Sequence, residues 1–187
     1  FQIVLSKRLY AKVKKGVNIP VSLAMRYGSM SINKGLKELV DRGVTEVVVR
    51  PLYPHYAMSS YETVVEKVND EIKKWFPSLK QQVIPPFYDD DQYISVMCKT
   101  ISDHIKGIDY DHILFSYHGI PESHIKISDT TKTHCLKVDN CCSLSSEAHK
   151  KCYRHQVFKT TELIVKQLNI PDDKYSNCLL YTSDAAD

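Results

Sequence analysis

Two groups of residues in this chain are placed to do chemistry. Four of its six cysteines, Cys135, Cys141, Cys142 and Cys152, lie in the polar stretch "HCLKVDNCCSLSSEAHKKCYRH" from His134 to His155, with three of its eight histidines. Thiols grouped in this way can hold zinc or an iron–sulfur cluster, pair as disulfides, or stay free. Without a sign of secretion, metal or redox ligation ranks ahead of disulfides. His134, His149 and His155 are reserve ligands or solvated residues. The second group centres on "SYHGIPE" (Ser116–Glu122). An imidazole at His118, held by a Gly–Ile–Pro turn, can accept a proton near neutral pH or bind a divalent metal. A turn histidine bonded to its own loop would look the same.

Two further stretches carry polar groups of interest. In "RPLYPHYAMSSYE" (Arg50–Glu62), Tyr53 and Tyr56 offer flat faces with polar tips, suited to a large planar ligand. Ser59 and Ser60 lie where a helix should start, which favours an anion or merely supplies an N-cap. His55 reads as a solvent-facing loop residue. In "MRYGS" (Met25–Ser29), Arg26 suits an anionic group or a structural ion pair. Cys98 reads as core filler. The six glycines form neither G-x-G-x-x-G nor a Walker loop, which disfavours dinucleotides.

The elements that must position these residues alternate between strand and helix. "IVLSKRLYAKVKK" (Ile3–Lys15) predicts a helix and "IPVSLAM" (Ile19–Met25) a buried strand. Ser31 fits an N-cap to a helix with Ile32, Leu36, Leu39 and Val40 on one face and Gly43 past its end. "TEVVVRPLYP" is the next strand, and a long helix from Tyr61 to Trp75 stops before Pro77. A strand at "QQVIPPF", a helix over Tyr93–Ile105, a strand at "DHILFSYHG" and a helix from Val157 to Leu168 complete the pattern. It implies an α/β fold, parallel strands with helices on both faces, whose ligands bind beyond the strands' C-terminal ends.

Bulk properties narrow the class. The chain has 187 residues, is 43% hydrophobic and 25% charged, and carries a net charge of +3. That balance suits a globular core and gives no footing for nucleic acid. No apolar run nears the ~20 residues of a membrane span. The chain opens without Met and reads as an internal piece of something longer. Its last residues, "NCLLYTSDAAD" (177–187), resemble a translated cloning scar and are expected to play no part, Cys178 included.

Three stretches taken together resemble one family. "SYHGIPE" resembles the S-[FY]-H-G-[LI]-P signature of ferrochelatases, "RPLYPHY" is similar to their P-L-Y-P-x-Y segment, and "MRYGS" to their M-R-Y-G-x-P segment, in the expected order. Met30 departs from the usual proline. The resemblance implies two similar α/β lobes, both incomplete: residues 1–107 as part of the first, and 108–176 as the start of the second with a cysteine-rich insertion over 130–152. It also implies insertion of Fe²⁺ into a porphyrin, protoporphyrin IX or coproporphyrin III, to make haem. His118 matches the catalytic histidine and ligand of the incoming iron; Arg26, Tyr27, Tyr53 and Ser59 match porphyrin-binding positions. The partner carboxylate would lie beyond residue 187, so the fragment alone is expected to be inactive. A cytoplasmic enzyme is expected, compatible with peripheral membrane contact.

The resemblance bears on the cysteines too. Some bacterial ferrochelatases carry a [2Fe–2S] cluster on an internal segment of this sort; others use C-terminal cysteines plus one where this chain has Met58. Cys135, Cys141, Cys142 and Cys152 supply the four thiolates a cluster needs, and C-x5-C-C-x9-C differs from the C-x2-4-C pairs of zinc fingers. Zinc and free thiols stay as alternatives. The rival functions are a cobalt or sirohydrochlorin chelatase, or a non-catalytic iron–sulfur or zinc module.

Overall fold

A computed structural model of the chain describes residues 19–180, so the helix expected over Ile3–Lys15 lies outside it. The chain forms two compact units, and their composition follows from which apolar faces pack together.

The described part of the first unit comprises residues 19–51 and 63–85. Helix α1 (Ile32–Asp41) starts at Ser31, whose hydroxyl accepts from the Lys34 amide at 3.2 Å, and Gly43 follows it in the left-handed region at φ 81°. That conformation carries no Cβ penalty in glycine. Strand β1 (Glu46–Val49) leads by way of helix α2 (Thr63–Trp75) to strand β2 (Lys80–Val83). The strands pair in parallel from Glu46↔Lys80 to Val49↔Val83. Ile32, Leu36, Val47, Val68, Ile72 and Leu79 form one core, so both helices bury their apolar stripes with β1 between them in sequence.

The second unit comprises residues 52–62 and 86 onward. A π-helical turn (Met58–Glu62) stands where the long helix was expected to begin. Helix α3 (Asp91–Ile105) is capped by Asp90, which accepts from Gln92 and Tyr93 amides. Strand β3 (Ile113–His118), helix α4 (Glu122–Ser128), a 3₁₀ turn (Glu147–Lys151), helix α5 (Tyr153–Leu168) and strand β4 (Tyr175–Leu180) follow. β3 and β4 pair in parallel from Ile113↔Tyr175 to His118↔Leu180. α3 packs on α5 over a core of Ile94, Cys98, Phe115, Ile164, Val165 and Ile170. The fold is α/β with parallel strands, as expected. Among the described residues no helix is long and apolar enough to cross a membrane.

One expected element needs correction. Ile19–Met25 is not a strand: among the described residues it makes a single bridge, Met25 to Ser31, and Ile19 is 54% exposed. An apolar run becomes a strand only when a neighbour takes its backbone hydrogen bonds. Residues 177–180, within the expected tail, are the last four residues of β4, with Cys178 opposite Ser116. Residue 107, the expected lobe boundary, lies in the second unit, where α3 packs on α5. Helix α4, in the middle of the cysteine-rich half, had no signal strong enough to foresee.

Replacing Ser31 by Ala should cost about 1 kcal/mol in urea denaturation, and replacing it by Gly only a few tenths. Equal losses would show that the side-chain cap contributes nothing.

Candidate functional site

Side-chain alternation along β3 sets the site. Phe115 and Tyr117 face inward, while Leu114, Ser116 and His118 are exposed. The Tyr117 hydroxyl lies 2.8 Å from Oγ1 of Thr161, and that threonine donates to Oδ1 of Asn177 at 2.6 Å. A threonine has one hydroxyl proton. With that proton on Asn177, Tyr117 is the donor and its ring is fixed against α5. His118, the last residue of the strand, therefore presents its imidazole on the opposite, open side. The Gly119 amide donates to the Leu180 carbonyl at 2.7 Å, and Ile120 is buried beneath the turn.

Two expected porphyrin positions share this unit. Tyr53 is 42% exposed, and Ser59 is the exposed residue of the half-buried π-helical turn. The segment bearing them is held from below. Tyr56 and Ala57 are buried, and the Phe87 amide donates to the Pro54 carbonyl. His55 is a correction: it does not face solvent but is 9% exposed, edge-on to Tyr117 and Tyr153, with Nε2 at 3.0 Å from Oγ1 of Thr160. Thr160 spends its proton on the Tyr88 or Gln156 carbonyl, so His55 is the donor. Burial pulls its pKa down to about 4. Arg26 and Tyr27 belong to the first unit, where both are exposed and the guanidinium lies 5.0 Å from the ring centroid.

The four clustered cysteines come together. All are free; Cys135, Cys141 and Cys152 are buried and Cys142 partly so. Cys142 and Cys135 lie close enough to Cys152, and Cys141 close enough to Cys135 and Cys142, to influence one another electrostatically. Cys152 caps α5, accepting from the His155 amide at 3.5 Å. The neighbouring Cys142 thiol outweighs burial and lowers the Cys152 pKa. Burial and the Cys152 charge raise that of Cys135. Even so, among the described residues no three cysteine, histidine or acidic side chains stand in a ready-made metal cage. As a donor set, four free thiols have the chemistry of a tetrathiolate group.

The histidines of this stretch are half-buried. His134 and His149 place Nε2 at 2.7 and 2.8 Å from the Cys141 carbonyl, and His155 places Nδ1 at 2.8 Å from that of Cys142. His149 and His155 stack with centroids 3.6 Å apart. Their ring nitrogens fix the tandem cysteine backbone and leave the sulfurs uncommitted to it. Asp129 anchors the other end, accepting from the Thr131, His134 and Cys135 amides and the Thr131 hydroxyl. Burial opposes its charge, but these donors prevail and hold its pKa well below the usual carboxylate range. A cavity of about 410 Å³ opens beside Cys141 and Cys142, lined also by Arg154 and Phe158.

The match to known proteins is decisive for the family. The ferrochelatase family profile covers residues 2–185. The chain belongs to the ferrochelatase family. It is 41% identical over 176 residues to the ferrochelatase of Opitutus terrae and 39% over 175 residues to that of Pseudomonas savastanoi pv. phaseolicola. It is 39% identical over 179 residues to that of Stutzerimonas stutzeri. Each alignment takes in 93% of this chain and 51% of the relative, so the chain spans about half the length of the ferrochelatases it matches.

Against this ferrochelatase frame, sequence reasoning missed the supporting residues. Asp129, Gln156 and Thr160 bear no motif, and their partners are scattered along the chain. Only the apolar stripe of α5 hinted that a polar residue inside it would need a buried partner.

His55 supplies a pH test. Its folded pKa lies below the unfolded value of 6.5, so its contribution is whole above pH 6.5 and is lost as pH falls toward 4. Stability should drop by an amount on the order of 3 kcal/mol across that window. His55→Gln, which keeps a donor for Thr160, should flatten the drop in urea midpoints. An unchanged slope would place the titrating group elsewhere.

Proposed function

We propose that this chain is the central part of a ferrochelatase that inserts Fe²⁺ into a porphyrin, protoporphyrin IX or coproporphyrin III, with His118 as its catalytic base. The observation that carries the reading is the exposed imidazole at the C-terminal end of β3, within the family signature, on a strand whose inner face is locked. Metallation requires the porphyrin to release two N–H protons as the iron enters. An imidazole beside the macrocycle can take them one at a time and pass them to water. The Fe²⁺ is substrate, and the same ring nitrogen can meet it on its way in. Tyr53 and Ser59 line the macrocycle, and Arg26 and Tyr27 are carried over from the family motif as further porphyrin-binding positions. Aromatic walls favour a puckered ring in which a pyrrole lone pair faces the metal. The free state of every cysteine among the described residues suits a reducing, cytoplasmic setting.

Cys135, Cys141, Cys142 and Cys152 hold a [2Fe–2S] cluster in this reading. Bound there, it would supply a one-electron redox centre and a cross-link through the loop. The residues present act on the pocket itself: Asp129 sets the Cys135 amide, the three histidines set the Cys141–Cys142 carbonyls, and α5 delivers Cys152.

In a full-length enzyme carrying this chain, His118→Ala should lower the rate of metal insertion by at least about a hundredfold while porphyrin fluorescence quenching still reports binding. Near wild-type turnover would remove His118 from the reaction. Protein produced with iron and sulfide should be red-brown, with iron and acid-labile sulfide in equal amounts. Serine at any of the four cysteines should bleach it, whereas Cys98→Ser should not. A colourless protein holding zinc would exclude the cluster and leave the chelatase reading intact.

A further inference from the structure

The Gln156 side chain is buried completely, one turn inside α5. Its Oε1 accepts from the Tyr56 amide at 2.7 Å, and its Nε2 donates to the His149 and Lys150 carbonyls at 3.0 Å each. These are the groups of two different structures. Tyr56 lies within the segment bearing Tyr53 and Ser59. His149 and Lys150 lie in the 3₁₀ turn that delivers Cys152, and His149 also holds the Cys141 carbonyl. One amide group therefore ties the candidate porphyrin segment to the thiol pocket.

Lys151 joins the same two structures a second time. Its ammonium lies 3.6 Å from the Glu62 carboxylate and 5.5 Å from the centroid of Tyr56. On the apolar side, Cys135 and Cys152 pack in one cluster with Ile120, the residue two beyond His118. The thiol pocket is thus built into the support of the candidate site, not hung outside it. A buried amide whose three bonds converge from two segments cannot lose one of them without leaving a buried backbone group unmet, which destabilises the arrangement.

We propose that Gln156 is a positioning residue that couples the two sites: filling the thiol pocket with a metal group fixes the His149–Lys150 turn, and Gln156 passes that order to the backbone at Tyr56. The coupling is reciprocal by thermodynamic necessity, so porphyrin binding at the segment must tighten metal retention by the same factor. The inference rests on the reading of the four thiols as a metal site and of the Tyr53–Ser59 segment as porphyrin-lining.

The test uses the full-length protein, loaded anaerobically with ferrous iron and sulfide or stripped with chelator. Amide hydrogen exchange at Tyr56 and protoporphyrin affinity are read in both states, beside iron and sulfide content. Loading should slow Tyr56 exchange and tighten porphyrin binding, each about tenfold. Gln156→Met, close in shape but without the amide, should bind the same iron and sulfide and lose both effects. Gln156→Glu keeps an acceptor for Tyr56 but has no donor for the two carbonyls. It should show equal Tyr56 exchange in the loaded and stripped states, which a merely weakened fold would not give. Where Gln156→Met fails to fold, this second variant decides. Wild-type protein that loads iron and sulfide without slowing Tyr56 overturns the coupling and leaves the thiol site standing. Protein that takes up no metal overturns both, and the iron and sulfide content tells the two failures apart. Coupling that survives both substitutions overturns the role of Gln156.

Discussion

The polar groups buried along one side of α5 constrain most of what surrounds them. Gln156, Thr160 and Thr161 are each at most 1% exposed, in a helix whose remaining buried positions are apolar. A hydroxyl or amide in such a place is tolerated only with its hydrogen bonds made. Each therefore dictates a neighbour: Gln156 requires the Tyr56 backbone and the turn before Cys152, Thr160 requires His55 and Tyr88, and Thr161 requires Tyr117 and Asn177. Three polar side chains on two turns thus specify the seat of the Tyr53–Ser59 segment, the facing of β3 and the register of β4. An apolar helix of equal volume could bury as much surface but would not choose among these arrangements.

What was legible in the sequence was what local chemistry decides. Ser31 and Gly43 bracket α1 because capping is settled within a few residues. The apolar spacing of α2, α3 and α5 gave their extents to within a few positions, and His118 was placed at a strand's end by the run "ILFSYH". His55 shows where this fails. Its partner Thr160 lies 105 positions away, and a histidine between two tyrosines in a loop carries no mark of burial. Ile19–Met25 fails for the converse reason. Its composition suits a strand, but pairing is a property of the neighbour. Asn177–Leu180 looked foreign by composition, yet its backbone meets β3 in register regardless of side-chain oddity.

The cysteine stretch was legible as a group of thiols, and what anchors it was not. A polar loop of this length has little apolar surface to hold it. Here Asp129 substitutes for a core at one end, collecting three backbone amides on one carboxylate. At the other end the helix takes over, since Cys152 is both the last residue of the loop and the cap of α5. Left-handed backbone at Lys132, Leu136 and Asn140 lets the loop fold back between these anchors. Such conformations are costly for non-glycine residues and persist where the surroundings over-determine them. The paired histidines around Cys141 supply that determination from the inside.

The two faces of β3 divide the work of the unit. On one face Tyr117 is committed to the helix; on the other, one residue later, His118 is left open to solvent. A strand allows this because consecutive side chains point in opposite directions while sharing one backbone. A base that must meet a bulky, planar substrate needs open space in front and no slack behind. The strand gives the first by leaving His118 exposed and the second by pinning its neighbour through Thr161 and Asn177. The same logic holds at Tyr53 and Tyr56, three positions apart in one segment, where the former is open and the latter is anchored by Gln156. Exposed positions thus alternate with anchored ones, and the anchors converge on α5. The residues that could touch a porphyrin are in this way held by residues that never would.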